Sequence, residues 1–162
     1  MIKKAVLWLV CVVPILTILS ASSSKTLEQS LLREAGIALN YEIPKPATPG
    51  YPIIYYTTKR YVEWVVCRNV GCSALAATYY NAIYLAEDHV DLNTTLGQSI
   101  LYHEMVHALQ YYKYGESPNC QEWARREMEA YSLQDEWARK RGYYDPHFQD
   151  IQHRIQRFCV EP

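Results

Sequence analysis

The chain has 162 residues, 49% of them hydrophobic, which is enough for one modest domain with its own core and too little for two. Its 16 basic and 17 acidic side chains nearly cancel, and this argues against a nucleic-acid binder, which normally carries a basic excess. Tyrosine is common, at 15 residues against 2 phenylalanines, but this bias indicates no particular activity.

The first 21 residues predict a secretory signal peptide. Lys3 and Lys4 precede an apolar run over residues 5–19, and the small residues that follow place the cleavage site after Ala21 or Ser22. The run is shorter than the roughly 20 residues that a membrane-spanning helix needs. We therefore expect a secreted or periplasmic protein without membrane contact after cleavage, and an uncleaved N-terminal anchor is the alternative.

Residues 22–52 are expected to form an N-terminal helix followed by a proline-rich linker. Thr26 and Gln29 make a capping box, which predicts a helix over about Leu27–Leu39. Four prolines and a glycine stand between residues 41 and 52, and this composition predicts a linker or a surface loop.

The next segment predicts a small amount of sheet and one short helix. Residues 53–58 (IIYYTT) form a short β-type run, and residues 59–67 (KRYVEWVVC) have helical spacing. Residues 73–80 and 82–86 look like two strands of a hairpin that turns near Asn81. These strands supply the sheet of the predicted fold.

Three helices are predicted after the hairpin. Thr95 and Gln98 form a second capping box, and that helix should run to about Tyr114, where Gly115 ends it. A serine–proline pair at residues 117–118 begins the next helix, which should run to about residue 141. Asp145 and Pro146 give the same start signal for a final helix, antiparallel to the one before it.

The cysteines predict two disulfides. Four remain beyond Cys11 of the signal peptide, and an even number in an exported chain suggests pairing, with three arrangements possible. We favour Cys67–Cys72, because the two are close in sequence at a helix end and a strand start. We favour Cys120–Cys159 because these residues should lie at the same end of the last two helices.

The first of the three helices carries an H-E-x-x-H motif made of His103, Glu104 and His107. Histidines four residues apart project from one helix face, so both imidazoles can reach a single Zn²⁺. Glu104 lies about 100° around the helix, where it can take a proton from a water on that ion. The alternative is a pair of ordinary surface or core histidines. The apolar residues form a separate arc, made of Leu101, Met105, Leu109 and Tyr112.

A catalytic zinc site needs a third protein ligand. Gln110 and Lys113 stand where a metzincin would continue its motif, so that pattern is absent. In the next helix, at REMEAYSLQ, the chain resembles the Glu-zincin metallopeptidases, whose third ligand is a glutamate within E-x-x-A-D or a near variant. Glu127 begins E-x-x-A here, and Tyr131 replaces the aspartate. The chain is also similar to small, uncharacterised exported bacterial proteins of peptidase type.

The resemblance implies a glutamate ligand, and two candidates are available. Glu127 shares a helix face with Ala130, whose small side chain would let the two helices approach closely. Glu129 falls with Arg126 on a charge-rich face that we expect to be solvated. We therefore assign Glu127 as the third ligand, with Glu129 as the alternative.

The resemblance also implies features around the metal. Tyr131 would replace an aspartate that orients a ligand histidine, although it is equally a candidate for core packing. Residues 82–86 are the candidate for an edge strand that pairs with an extended peptide substrate. His89 lies in an acidic loop and is expected to be solvated. Candidates for stabilising the oxyanion are Tyr114, Tyr143, Tyr144, His147 and His153.

Together these features predict an α+β fold over residues 53–162, a minimal zincin-like domain. A short antiparallel hairpin would pack on the H-E-x-x-H helix, followed by a glutamate-bearing helix and a C-terminal helix. The expected function is zinc-dependent hydrolysis of a peptide or protein substrate, with Glu104 as general base. One alternative is a zinc-stabilised binding or structural module, and another is an exported protease toxin that needs a partner. Residues 26–51 are a candidate inhibitory flap.

Overall fold

The computed structural model describes residues 13–67 and 73–159, and it confirms the predicted α+β class. Within these residues, five helices accompany one three-stranded sheet. In chain order the elements are α1 (Val13–Leu39), β1 (Ile53–Thr57), α2 (Lys59–Cys67), β2 (Ala76–Tyr79), β3 (Ala82–Ala86), α3 (Thr95–Tyr114), α4 (Cys120–Arg139) and α5 (His147–Phe158).

Helix α1 ends where it was predicted to end, but it does not begin at Thr26. It is already helical from Val13, since no glycine or proline stands between Pro14 and Thr26 to stop it. Asn40 follows in the left-handed conformation, with φ of 53°, and ends the helix. Of the described residues, those up to Ser30 belong to one compact unit and those from Leu31 onward belong to the other.

The predicted signal peptide lies partly outside the described residues, which omit 1–12, and its removal stays a prediction. Among the helices that the structure describes, none combines the length and the apolar character needed to span a bilayer.

The sheet is mixed, because β1 adds a parallel strand to the predicted antiparallel hairpin. Strand β3 pairs antiparallel with β2 on one side and parallel with β1 on the other, in the order β1-β3-β2. The parallel pair needs a crossover connection, and α2 lies within it. Strand β3 is therefore central, with Ile83 and Leu85 fully buried. The prediction that residues 82–86 form an edge strand is wrong, since β3 is the central strand and β1 and β2 are at the edges.

Helix α3 is buried on more than one side, because it lies between the sheet and α4. Its N-cap is Thr94 and not Thr95, and the Thr94 side chain accepts a hydrogen bond from the Gly97 amide at 3.0 Å. Gly115 follows its last residue, as predicted. Of the predicted apolar arc, all but Tyr112 are buried, and Tyr112 is 44% exposed.

The last two helices differ from their predicted bounds by one or two residues. Asn119 caps α4 instead of Ser117, because its side chain accepts a hydrogen bond from the Glu122 amide at 2.8 Å. The same helix ends at Arg139. Asp145 caps α5 as predicted, accepting from the His147 amide at 2.9 Å.

A disulfide joins Cys120 to Cys159, with 5.6 Å between the Cα atoms, and confirms the predicted pairing. It ties the start of α4 to the residue that follows α5. The other predicted pairing, Cys67–Cys72, lies outside the described residues at Cys72.

Replacing Cys120 and Cys159 together by serine is expected to lower the free energy of unfolding by about 2–4 kcal/mol. The bond closes a loop of 39 residues, and its loss frees that loop in the unfolded chain. Denaturant titration of the oxidised wild type, the reduced wild type and the double variant would measure the change. The reduced protein should be no more stable than the variant, because reduction would also open the predicted Cys67–Cys72 bond, and equal stability of all three would contradict the expectation.

Candidate metal centre

The two histidines of the motif face one another across one turn of α3. Their Nε2 atoms lie 2.9 Å apart, and their ring centroids lie 4.6 Å apart. His103 is buried, at 7% exposure, and His107 is half-buried. Both rings therefore present the same nitrogen toward a common point.

Helix α4 brings Glu127 to this point. Its Oε1 lies 3.4 Å from Nε2 of His107, and its Oε2 lies 3.7 Å from Nε2 of His103. Ala130 is fully buried, consistent with close packing of α4 on α3. These three residues form the group among the described residues whose ligand atoms can hold a metal ion.

The donor set suits zinc. Two imidazole nitrogens and one carboxylate are the protein ligands of a catalytic zinc site that keeps one position open. All three donors are at least partly buried, as expected for a first coordination sphere. The residues present therefore fit the ion that the sequence led us to expect.

The alternative ligand, Glu129, does not join this group. Its Oε2 accepts a hydrogen bond from Gln110 at 3.0 Å and lies 3.5 Å from Arg125. The predicted solvated face is also partly wrong, since Arg126 is only 7% exposed. Its guanidinium donates to the Gly115 carbonyl at 2.7 Å and to Glu122 at 2.8 Å, so the buried charge is paired.

Glu104 is buried beside the metal group, at 7% exposure. The Thr78 hydroxyl lies 2.7 Å from Oε2 of this carboxylate and 3.1 Å from its backbone carbonyl oxygen. Thr78 belongs to β2, so the edge strand holds the side chain of the adjacent helix. This arrangement leaves the second carboxylate oxygen free of any hydrogen bond within the described residues.

Tyr131 packs on His103 instead of accepting a hydrogen bond from it. Their ring centroids lie 4.4 Å apart, with the rings tilted by 55°. Nδ1 of His103 is buried and has no hydrogen-bond partner among the described residues. Burial first, and then the charges of Glu127 and Glu104, raise the pKa of Tyr131 to about 12, so its phenol stays protonated at neutral pH.

Opposing effects act on the pKa values of His107 and Glu127. Burial lowers the pKa of His107, but the Glu127 carboxylate outweighs it, with smaller help from Glu104 and Gln110, and raises the pKa to about 9. Burial tends to raise the pKa of Glu127, but the charge of His107 and hydrogen bonding to both histidines hold it well below its usual range. Without a metal ion, His107 and Glu127 form an ion pair near neutral pH.

Zinc binding is therefore expected to release about one proton from His107 at neutral pH, because a metal ligand must be a neutral imidazole. The apparent affinity should rise by about tenfold per pH unit and level off above about pH 9. Calorimetric titrations in buffers of different ionisation enthalpy would count the protons released. An affinity independent of pH between about 6.5 and 9 would contradict this expectation.

A cavity of about 540 Å³ adjoins the group. It is walled by the end of α2, by β2, by α3 from His103 onward and by α4 from Trp123 to Tyr131. Residues 31–51 are absent from its lining, and a role of residues 26–51 as a flap stays a prediction. His89 is exposed beside Asp88, away from the metal group. The predicted oxyanion residues are also absent from the lining, namely Tyr114, Tyr143, Tyr144, His147 and His153.

Three residues that shape the site were not predicted from the sequence. Gln110 had a local signal, since it lies three residues after His107 and thus on the same side of the helix. The bond of Thr78 to Glu104 and that of Arg126 to Gly115 had none, because these contacts span 26 and 11 residues of chain. Their roles depend on how the elements pack.

The fold and the group together define a class, an α+β domain with a histidine and glutamate site that can hold a metal ion beside a buried carboxylate. A family model described as the eCIS core domain, where eCIS denotes an extracellular contractile injection system, matches residues 68–115. This segment is less than a third of the chain and includes β2, β3 and all of α3, but not Glu127. No curated protein and no solved structure matches the chain.

Proposed function

We propose that this protein is an exported zinc-dependent peptidase. The observation that carries the proposal is the buried carboxylate of Glu104. Glu104 directly follows the candidate ligand His103, and its carboxylate accepts a hydrogen bond from Thr78. A metal site with only a structural role has no need of such a group, whereas hydrolysis needs a base.

The roles of the residues follow from their positions. His103, His107 and Glu127 would hold the ion, which would supply Lewis-acid activation of water and of the scissile carbonyl. Glu104 takes a proton from the attacking water and passes it to the departing amine. Thr78 keeps the carboxylate turned toward the cavity during both transfers. Tyr131 lines the cavity as a neutral phenol and is one of several tyrosines there that can donate a hydrogen bond to the oxyanion.

The edge strand supports a peptide substrate. Strand β2 is paired with β3 on one side, and residues 76–80 border the cavity. A peptide in extended conformation would add to the edge of β2 that has no strand partner among the described residues, by backbone hydrogen bonds, and pass beside the metal group. Residues 76–79 thus take the role that was first expected of residues 82–86.

The direct test is to incubate the zinc-loaded protein with a library of peptides and to identify new termini by mass spectrometry. We expect cleavage that a chelator removes and that one equivalent of zinc restores. If the loaded protein cleaves no peptide under any of these conditions, simple peptidase activity is excluded.

Replacing Thr78 by valine is expected to lower kcat by about tenfold with little change in zinc affinity, because one net hydrogen bond to a charged group contributes about 1.5 kcal/mol. The variant keeps the shape of the side chain but leaves Glu104 without its donor. Steady-state kinetics would measure the change in kcat, and a parallel zinc titration would measure the zinc affinity. Thr48→Val, which removes a hydroxyl in the linker, is the control and should leave kcat unchanged.

The match to the eCIS core domain favours one refinement, that the protein works together with a partner outside the cell. Cleavage of one protein target, in the absence of cleavage in the peptide library, would support this partner-dependent form. Detection of the protein outside the cell, without residues 1–21, would support the proposed export.

A further inference from the structure

Gln110 is a buried glutamine of α3, only 1% exposed, at the interface with α4. Its Nε2 lies 3.1 Å from the backbone oxygen of Arg126 and 3.0 Å from Oε2 of Glu129. A carbonyl oxygen and a carboxylate oxygen only accept hydrogen bonds, so the amide NH₂ group must face them. The amide oxygen, Oε1, must therefore face the other way.

That oxygen lies 2.9 Å from Nδ1 of His107. An amide oxygen accepts and does not donate, so Nδ1 carries a proton, and in the neutral imidazole the lone pair is then on Nε2. Nε2 is the atom that faces His103 and Glu127. The hydrogen bond thus selects the tautomer that a metal ligand of this geometry requires.

The same side chain also fixes the position of α4. Arg126 immediately precedes Glu127, so the hydrogen bond to its backbone oxygen ties α4 to α3 next to the third ligand. Glu129 completes the arrangement by accepting the second amide proton of Gln110. One buried amide thereby contacts a ligand on α3 and the backbone beside a ligand on α4.

We propose that Gln110 is a positioning residue for the metal centre, and that Glu129 acts on the site through it. This inference rests on the metal site of the proposed function, but not on hydrolysis. His103 has no comparable hydrogen bond at its Nδ1 within the described chain and is held by packing on Tyr131. The alignment of His107 therefore depends on Gln110 more than that of His103 does.

The test compares Gln110→Met with Gln134→Met. Gln134 is the matched control, because it is a buried glutamine of α4, 3% exposed, that donates to Ser99 Oγ at 3.2 Å and contacts no ligand. Competition with a chromophoric chelator would give the zinc dissociation constants. We expect Gln110→Met to weaken zinc binding by about 10–100-fold and Gln134→Met to leave it unchanged. Equal affinities, or equal losses in both variants, overturn the proposal.

A spectroscopic readout separates positioning from general stability. In ¹⁵N-labelled, zinc-loaded wild type, the Nδ1 proton of His107 should be visible and slow to exchange with solvent, and in Gln110→Met it should exchange fast. If that proton exchanges equally in both, the hydrogen bond has no such role and the proposal fails.

A double variant covers the case in which Gln110→Met does not fold. Gln110→Glu combined with Glu129→Gln keeps volume and net charge and leaves an acceptor at Nδ1 of His107. It should bind zinc more tightly than Gln110→Glu alone, whose new carboxylate would face that of Glu129, and equal binding overturns the proposal. Because every readout is zinc binding or proton exchange, failure to cleave peptides would overturn the proposed function and leave this inference standing.

Discussion

Replacing Glu104 by glutamine is expected to lower kcat by about 10²–10⁴-fold while zinc remains bound at one equivalent. The amide has the shape of the carboxylate and can still accept the hydrogen bond from Thr78, so the fold should be unchanged. It cannot take a proton from water, and this removes the general base. Glu104 does not belong to the group of ligand atoms, so zinc affinity should be retained.

The control for this variant is Glu136→Gln, which also neutralises a carboxylate, but one that neither lines the cavity nor belongs to the metal group. Its kcat should stay close to that of the wild type. Equal inactivity of the wild type and Glu104→Gln, with zinc bound to both, would favour the zinc-stabilised module over an enzyme. Peptide-library assays and metal analysis on the same preparations give both results.

Glu127→Gln is expected to weaken zinc binding by more than the about 10–100-fold that an outer-sphere residue contributes, because it removes a charged ligand. Glu129→Gln should have a small effect, since its amide oxygen can still accept a hydrogen bond from Gln110. Without the Glu127 carboxylate, burial becomes the dominant influence on His107, and the pKa of the imidazole should fall from about 9.

Chelator competition on both variants, with an NMR titration of His107 in the metal-free state, would measure these changes. A larger loss of zinc affinity in Glu129→Gln than in Glu127→Gln would reverse the assignment of the third ligand. An unchanged pKa of His107 in Glu127→Gln would show that the two side chains do not form an ion pair in solution.

The local features of the last three helices were predictable because they depend on residues close in sequence. Gly115 ends α3 and Asp145 caps α5 at the expected places. The errors are of one or two residues, where neighbouring polar side chains compete for the same cap, as Asn119 does with Ser117. The larger error at the start of α1 arose because a capping box can also occur inside a continuous helix.

The candidate site was likewise predictable only where it depends on residues that are close in sequence. The spacing of His103 and His107 places both rings on one turn of helix wherever that helix lies, so the pair needed no tertiary information. The choice of Glu127 depended on a resemblance and on helix periodicity, and the structure brings its carboxylate to the histidines. The residues that surround the histidine pair could not be predicted from helix spacing or from a resemblance.

What the amino-acid sequence specifies about this protein is the set of helices, the histidine pair with its glutamate, and the cysteines of one disulfide. Packing alone establishes that β2 and not β3 is the edge strand beside the cavity, that Thr78 holds Glu104, and that Gln110 joins both helices of the metal group. The physical reason is the distance along the chain over which each interaction acts, because helix spacing and caps involve residues within about four positions of one another. Contacts between elements depend on the positions of whole helices and strands, and no short sequence pattern encodes those positions.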